Sequence, residues 1–153
     1  MHLSRTTFAY EETISHLQKF GRNPLIEIYL VQYLLILFYS EVEDKIKEIV
    51  TARLSQIDDR KVASFVFNTN EGMLKRVKKA EINELLNKFD CGDGDVISRF
   101  LEGMNLQPYF DAVTNRHKVA HDQGSTITLD YFGQALPCAE AILDAVEKII
   151  AHE

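Results

Sequence analysis

One uninterrupted stretch, residues 23–54, decides the fold, and it reads NPLIEIYLVQYLLILFYSEVEDKIKEIVTARL. Asn23-Pro24 is typical of a helix cap followed by the first helical residue. No glycine or further proline interrupts the stretch after Pro24. We therefore predict one helix from Leu25 to about Leu54, roughly 45 Å long at 1.5 Å per residue.

The two halves of this helix differ in character. Residues 28–39 are apolar except for Gln32, so we predict that the first half is buried centrally. This run is shorter than the ~20 apolar residues that a membrane span needs, and so it predicts a core helix and no membrane contact. The second half is amphipathic, with Val42, Ile46, Ile49 and Val50 on one side.

Charged pairs are expected on the opposite, exposed side of the second half. Glu41–Lys45 and Glu43–Lys47 have the spacing of four residues and the order that stabilise a helix.

The rest of the chain also has the pattern of helices separated by short polar turns. Thr6 or Thr7 can cap a first helix that ends near Gly21. Its inward residues are predicted to be Phe8, Ile14, Leu17 and Phe20. Further helices are predicted from the Asp58-Asp59 cap to about Asn68, from Glu71 to Phe89, from Val96 to Met104, from Pro108 through His121, and from the Thr128 or Asp130 cap to Ile150. We predict an all-α helical bundle, a single domain over residues 1–153, with one long central apolar helix.

Composition limits the possible partners and the compartment. Seventeen basic against 23 acidic residues give a net charge of −6, which excludes a polycation that coats nucleic acid nonspecifically. Cys91 and Cys138 are isolated and no signal peptide is evident, so we expect a reduced, cytoplasmic protein.

A local exception to the acidic balance lies between residues 60 and 79. Six basic residues occur there with one acid. Lys75, Arg76, Lys78 and Lys79 are candidates for guiding an RNA backbone. The alternative is a solvated helix face, which charge runs usually are.

The most informative segment for function is Asn115-Arg116-His117-Lys118-Val119-Ala120-His121. It places four basic side chains of three kinds late in a predicted helix. His117 and His121 share one stripe of that helix, whereas Arg116 lies about 140° around the helix from His121.

Three interpretations of this segment stay open. The histidines are ordinary surface or core residues near a helix C-terminus, where cations are favoured. Alternatively, His117 and His121 share a zinc ion with Asp122, although Arg116 and Lys118 would repel a cation. In the third interpretation the segment cleaves RNA without a metal: imidazole transfers protons near neutral pH, and guanidinium neutralises phosphate charge.

At these residues the chain resembles the HEPN superfamily of helical domains, many of which are RNases. The motif of that superfamily is Arg, four to six residues, then His, and residues 115–122 are similar to its R-N/H-x-x-A-H-G form, with Asp122 in place of the usual Gly. The resemblance extends to the long apolar second helix with an acidic patch at residues 39–43, and to the position of the motif before one closing helix.

This resemblance implies a small stand-alone member of the toxin and phage-defence type. Arg116 and His121 would be catalytic, Asn115 and His117 auxiliary, and Lys118 an RNA contact. It also implies a homodimer in which two motifs face one cleft, no metal and no cofactor. A non-catalytic HEPN module that scaffolds a nucleotidyltransferase-like partner is the alternative, and a cognate antitoxin is a possible partner.

Overall fold

The structure, a computed structural model, describes residues 1–120 and 124–151. These residues form helices and no strands, which confirms the predicted all-α fold. The helices are α1 (Ser4–Phe20), α2 (Pro24–Leu54), α3 (Arg60–Asn70), α4 (Lys79–Lys88), α5 (Val96–Phe100), α6 (Gln107–Ala120) and α7 (Leu129–Ala151). The predicted long apolar helix is α2.

The described residues group into two compact units. The first comprises Met1–Glu41 and Asn105–Glu140, and the second comprises Val42–Met104 and Ala141–Glu153, each taken over its described residues. The single domain expected over residues 1–153 stays a prediction.

Aromatic contacts join four helices in the core of the first unit. The Phe38 ring of α2 packs edge-on against Tyr109 of α6 and Phe132 of α7, with ring centroids 5.9 and 5.7 Å apart. Tyr10 of α1 lies 6.0 Å from Phe132. Phe38, Tyr109 and Phe132 are fully buried, so this cluster supplies a large apolar contact area to the unit.

The start of α2 agrees with its sequence signals. The Asn23 side chain accepts hydrogen bonds from the backbone N–H groups of Leu25 and Ile26, as a capping residue does. Gly21 ends α1 with φ of +85°, a conformation that glycine adopts without steric cost.

The prediction that the first half of α2 is buried all round is wrong on one side. Six large apolar side chains of this half are between 47 and 63% exposed. They are Leu25, Ile26, Ile28, Tyr29, Tyr33 and Ile36. In α1, Phe8 and Phe20 are also exposed, against prediction, and the buried residues are Thr6, Thr13 and Leu17.

Helix α2 is long and apolar enough to cross a membrane. Its most apolar 18-residue window has a mean hydropathy of 1.6, and 39% of that window is buried within the structure. Length and composition alone do not separate a membrane span from the core helix of a soluble protein, so the absence of membrane contact stays a prediction.

The predicted Glu41–Lys45 ion pair is also wrong. Glu41 is 1% exposed and binds the first turn of α1, whereas Lys45 pairs with Glu48. The predicted Glu43–Lys47 pair is confirmed, with 2.9 Å between Nζ and Oε1.

Two helices of the second unit, α3 and α5, begin at aspartates. Asp59 caps α3 by accepting from the N–H groups of Lys61 and Val62, and Asp95 caps α5 by accepting from Ser98. The fourth helix is shorter than predicted, because residues 71–78 form turns and α4 begins at Lys79. Helix α5 ends at Phe100, before the predicted Met104.

Candidate functional site

The last two turns of α6 carry four of the predicted site residues, Asn115, Arg116, His117 and Lys118. The first of these is buried and the other three are half-buried. Cationic groups are favoured at this end of a helix by its dipole. The structure therefore concentrates positive groups at the C-terminal end of one helix of the first unit.

Asn115 anchors the segment that follows the motif. Its Oδ1 accepts hydrogen bonds from the backbone N–H of Thr126, at 2.8 Å, and from the Thr126 hydroxyl, at 2.9 Å. Its Nδ2 donates to the carbonyl of Asp111 one turn earlier in α6. All three bonds lie within the first unit, so this side chain fixes residue 126 against the helix.

Arg116 and His117 both contact the ring of Tyr39 on α2. The Arg116 Cζ lies 4.3 Å from the ring centroid, in the geometry of a cation–π contact. The His117 ring meets the same ring edge-on, with centroids 5.7 Å apart. Tyr39 is 7% exposed, so one buried aromatic ring positions two of the predicted site residues.

The charge of Arg116 is not neutralised within the described part of the chain. Among residues 1–120 and 124–151, no carboxylate lies within ion-pair distance of its guanidinium. Asp111, on the same helix, binds Gln107 and the hydroxyl of Tyr131. The bond to that carboxylate raises the pKa of Tyr131.

His121 and Asp122 lie outside the described residues. The structure therefore gives no distance from Arg116 to His121, and neither the catalytic pair nor the His117–His121–Asp122 zinc site is tested. Both stay predictions.

The other predicted RNA-binding residues belong to the second unit. Lys75 pairs with Glu71 at 3.3 Å, and Lys79 pairs with Asp95. Arg76 and Lys78 are exposed. Carboxylates therefore partly neutralise the basic run that the sequence suggested as an RNA guide.

A cavity of about 450 Å³ lies beside the segment that Asn115 anchors. It is lined by the start of α2 and by residues 125–129, and Arg22 is its basic residue. Arg22 binds Asp130 through two hydrogen bonds of 2.7 and 3.0 Å and approaches Glu27 at 3.8 Å. Because Asp130 and Glu27 neutralise the charge of Arg22, this residue does not make the cavity a favourable site for an anion.

Neither cysteine resembles a catalytic thiol. Burial raises the pKa of Cys91 and of Cys138, whereas a nucleophilic cysteine needs a lowered pKa.

Sequence reasoning missed Tyr39 as the ring that contacts Arg116 and His117, and Glu41 as the carboxylate that binds the first turn of α1. Both lie in the stretch of residues 39–43 that supports the HEPN resemblance. A tyrosine and a glutamate at the end of an apolar run were the available signal, because each carries a polar group next to a buried face.

No family model matches the chain, and no curated protein or solved structure is significantly similar to it. The resemblance to the HEPN superfamily thus rests on the motif and the helix order, and it stays a prediction.

Proposed function

We propose that this protein is a metal-independent endoribonuclease of the HEPN type, a toxin or phage-defence effector that acts in the cytoplasm as a homodimer. The observation that carries the proposal is the position of Arg116. The Arg116 side chain is half-buried, and its guanidinium stacks on the ring of Tyr39. Arg116 lies on α6, five residues before His121 in the sequence.

Stacking leaves Arg116 suited to phosphate. The N–H donors of a guanidinium lie in its plane, so a ring against one face does not use them. A planar fork of donors matches two phosphate oxygens, and its positive charge is permanent. Tyr39 thus holds the group in one orientation before the substrate arrives, which lowers the cost of ordering it on binding.

The reaction that these groups suit is transesterification at an RNA phosphate. The 2′-oxygen of the ribose attacks the adjacent phosphorus while a base removes its proton. The bond from phosphorus to the 5′-oxygen breaks, and an acid protonates that leaving oxygen. The products are a 2′,3′-cyclic phosphate and a 5′-hydroxyl end. Imidazole suits both proton transfers near neutral pH, and Arg116 neutralises the charge that develops on phosphorus oxygens.

His121 is assigned to proton transfer, with Asn115 and His117 as supporting groups. Asn115 acts through the segment at residue 126 that it anchors. A homodimer would supply two copies of each group to one cleft.

The test is cleavage of a defined RNA by purified protein, with and without EDTA. Wild type should cleave in both conditions and leave cyclic phosphate ends. Arg116→Ala and His121→Ala should lose about 100-fold or more of the rate, as removal of one transition-state contact does. Tyr39→Leu, which removes the stacking ring, should lose about five- to tenfold, since a cation–π contact of this kind contributes about 1 kcal/mol.

Arg99→Ala is the matched control, because it removes the same charge from an exposed residue of the second unit that lies outside the basic run of residues 60–79. It should cleave like wild type, and all variants should keep the helical circular dichroism spectrum. Intact RNA after incubation with micromolar wild type, or full activity in Arg116→Ala, would contradict the proposal. Loss of cleavage in EDTA would favour the zinc site instead.

A further inference from the structure

An apolar face, interrupted by Gln32, covers one side of the first half of α2. It consists of Leu25, Ile26, Ile28, Tyr29, Tyr33 and Ile36, which are 62, 48, 47, 63, 57 and 52% exposed. At 100° per residue these side chains fall within about 160° of the helix circumference. The buried residues Val31, Leu34 and Phe38 lie on the opposite side. We call these six residues the apolar face of α2.

The face has the residue spacing of a helix–helix contact. Ile26, Tyr29, Tyr33 and Ile36 are separated by three, four and three residues, which is the spacing of a seam between two packed helices. Glu27 is the one charged residue between Leu25 and Ser40, and it is not part of the face.

The area of the face is large for a surface left in water. From the exposed fractions, the six side chains present about 700 Å², whereas the largest patch on a typical monomer is about 300–600 Å². A stable dimer buries about 800 Å² on each partner. The face therefore provides most of the surface that a dimer needs.

We propose that a second copy of this chain covers the apolar face, through antiparallel packing of α2 against its symmetry mate. An uncharged face is complementary to itself, so two copies can meet there without burying like charges, although each chain carries a net charge of −6. Tyrosine is enriched in such interfaces because its ring is buried while its hydroxyl reaches the wet rim.

A membrane surface fits the face less well than a second copy. Helices that lie on membranes are rich in Lys and Arg along the polar edge of their apolar side. Between residues 25 and 40 of α2 there is no basic residue. The electrostatic attraction to anionic lipid that such helices use is therefore absent from this segment.

The apolar face borders the candidate site. Tyr39, whose ring contacts the Arg116 guanidinium, is three residues after Ile36 on α2. Gly124, in the segment after the motif, lies beside Gln32 of the same helix: a Cβ built on this glycine would be 3.8 Å from the Gln32 Nε2. One edge of the interface thus runs along the structure that holds Arg116.

Two-fold symmetry then places both copies of the site on one side of the dimer, toward opposite ends of the α2 pair. With residue 26 opposite residue 36, residue 39 of one copy lies opposite residue 23 of the other, so the two Tyr39 residues are about 24 Å apart along the helix axis. The two-fold axis that relates two antiparallel helices is perpendicular to the plane that contains them. Rotation about this axis keeps each residue on its own side of that plane, so equivalent residues of the two copies lie on the same side of the helix pair. Both Arg116 side chains would line the same side of the α2 pair. The meaning of this arrangement for RNA cleavage rests on the proposed function, whereas the dimer itself does not.

The mass of the purified protein, measured by light scattering at tens of micromolar, tests the interface. Wild type should have twice the chain mass of 17.5 kDa. Tyr33→Glu, and independently the milder Tyr29→Ser/Tyr33→Ser variant, should shift the mass to that of one chain while the helical spectrum is kept. Phe65→Glu is the matched control, because it places the same charge at a side chain of α3 that is 71% exposed, and it should stay dimeric.

Cysteine cross-linking tests the antiparallel arrangement. With the axis near the middle of the face, residue 26 of one copy lies near residue 36 of the other. An Ile26→Cys/Ile36→Cys variant should form a disulfide-linked dimer on mild oxidation, whereas Ile26→Cys alone and wild type should not. Cross-linking of Ile26→Cys alone would indicate parallel helices and overturn the proposed arrangement.

Other outcomes separate this inference from the proposed function. A wild-type monomer, or a dimer that persists in both Tyr33 variants, overturns the interface whether or not RNA is cleaved. A monomer that sediments with lipid vesicles assigns the face to a membrane and also overturns it. A dimer that these variants dissociate, but that cleaves no RNA, supports the interface and contradicts the nuclease.

Discussion

Replacing Glu41 by glutamine removes one charge from inside the first unit with little change of shape. The Glu41 carboxylate accepts hydrogen bonds from the hydroxyl and backbone N–H of Thr6, at 2.6 and 2.7 Å, and from the backbone N–H of Arg5, at 2.9 Å. The Arg5 Nε is 3.4 Å away. A negative charge thus meets the first turn of α1, where the helix dipole favours it.

The expected loss of stability follows from these contacts. A hydrogen bond to a charged group contributes about 1.5–3 kcal/mol, against about 0.5–1.5 kcal/mol for a neutral one. Glutamine also places an NH₂ group against N–H donors, and leaving one buried donor unsatisfied costs about 1–3 kcal/mol. We expect Glu41→Gln to lower the free energy of unfolding by about 3–4 kcal/mol. For a chain of this size, that corresponds to a decrease of about 10 °C in Tm.

The pH dependence has a defined sign. Burial raises the pKa of Glu41, but the hydrogen bonds from Thr6 and Arg5, with the nearby Arg5 charge, outweigh it and hold the pKa below its ordinary value. A carboxylate with a lowered pKa in the folded state stabilises the fold above its unfolded pKa, and this contribution is lost as the pH falls through the folded pKa. The stability difference between wild type and Glu41→Gln should therefore decrease below about pH 5.

Urea unfolding followed by circular dichroism at pH 7 and at pH 3–4 measures both effects. Glu48→Gln is the control: this side chain is 62% exposed and pairs with Lys45 on the surface, so its loss should cost no more than about 0.5 kcal/mol. If the free energy of unfolding of Glu41→Gln is within about 0.5 kcal/mol of the wild-type value, the loss is no larger than that of an exposed ion pair. The carboxylate then does not hold α1 as described.

Two further predictions use the same unfolding assay. Asn115→Ala should cost about 1–2 kcal/mol, because residue 126 loses its anchor on α6; Asn115→Asp keeps the accepting oxygen and should cost less, and equal losses in the two variants would refute this role. Asp95→Ala should cost about 1 kcal/mol as a lost helix cap. Although burial raises the pKa of Asp95, hydrogen bonds from Lys79, Ser98 and Asn83 hold it well below its usual range, so this cost should be present at neutral pH and decrease as the pH falls below the ordinary range of a carboxyl group. A cost that is the same at pH 7 and pH 3 would contradict that assignment.

Local chemistry made several helix boundaries readable in the sequence, although the predicted Thr6 or Thr7 cap is wrong, because α1 begins at Ser4 and has no side-chain cap. Gly21 and Asn23-Pro24 mark a stop and a start that the structure confirms, and Asp59 and Asp95 cap the helices that follow them. Each signal works within a few residues, through a side chain that bonds the nearest backbone groups. Thr128 caps α7 in the same way, by accepting from Tyr131.

The sequence could not show which side of α2 is buried. Its first half is apolar on every side, so the helical periodicity that normally distinguishes core from surface is missing. The structure buries Leu34 and Phe38 and leaves Tyr29 and Tyr33 exposed. That choice depends on where the other helices of the unit lie, which is a property of the packed chain.

By itself, the sequence determined an all-α chain with one long apolar helix, and it predicted a functional site at residues 115–121, which stays a prediction. Only the tertiary structure decided what the polar groups of that chain bind. Glu41 has the spacing to pair with Lys45, but it caps α1, whose first turn is 35 or 36 residues away in the sequence. Arg116 rests on Tyr39, from a different helix. A charge is stabilised by whichever partner the fold brings to it in a desolvated place, and distance along the chain does not reveal that partner.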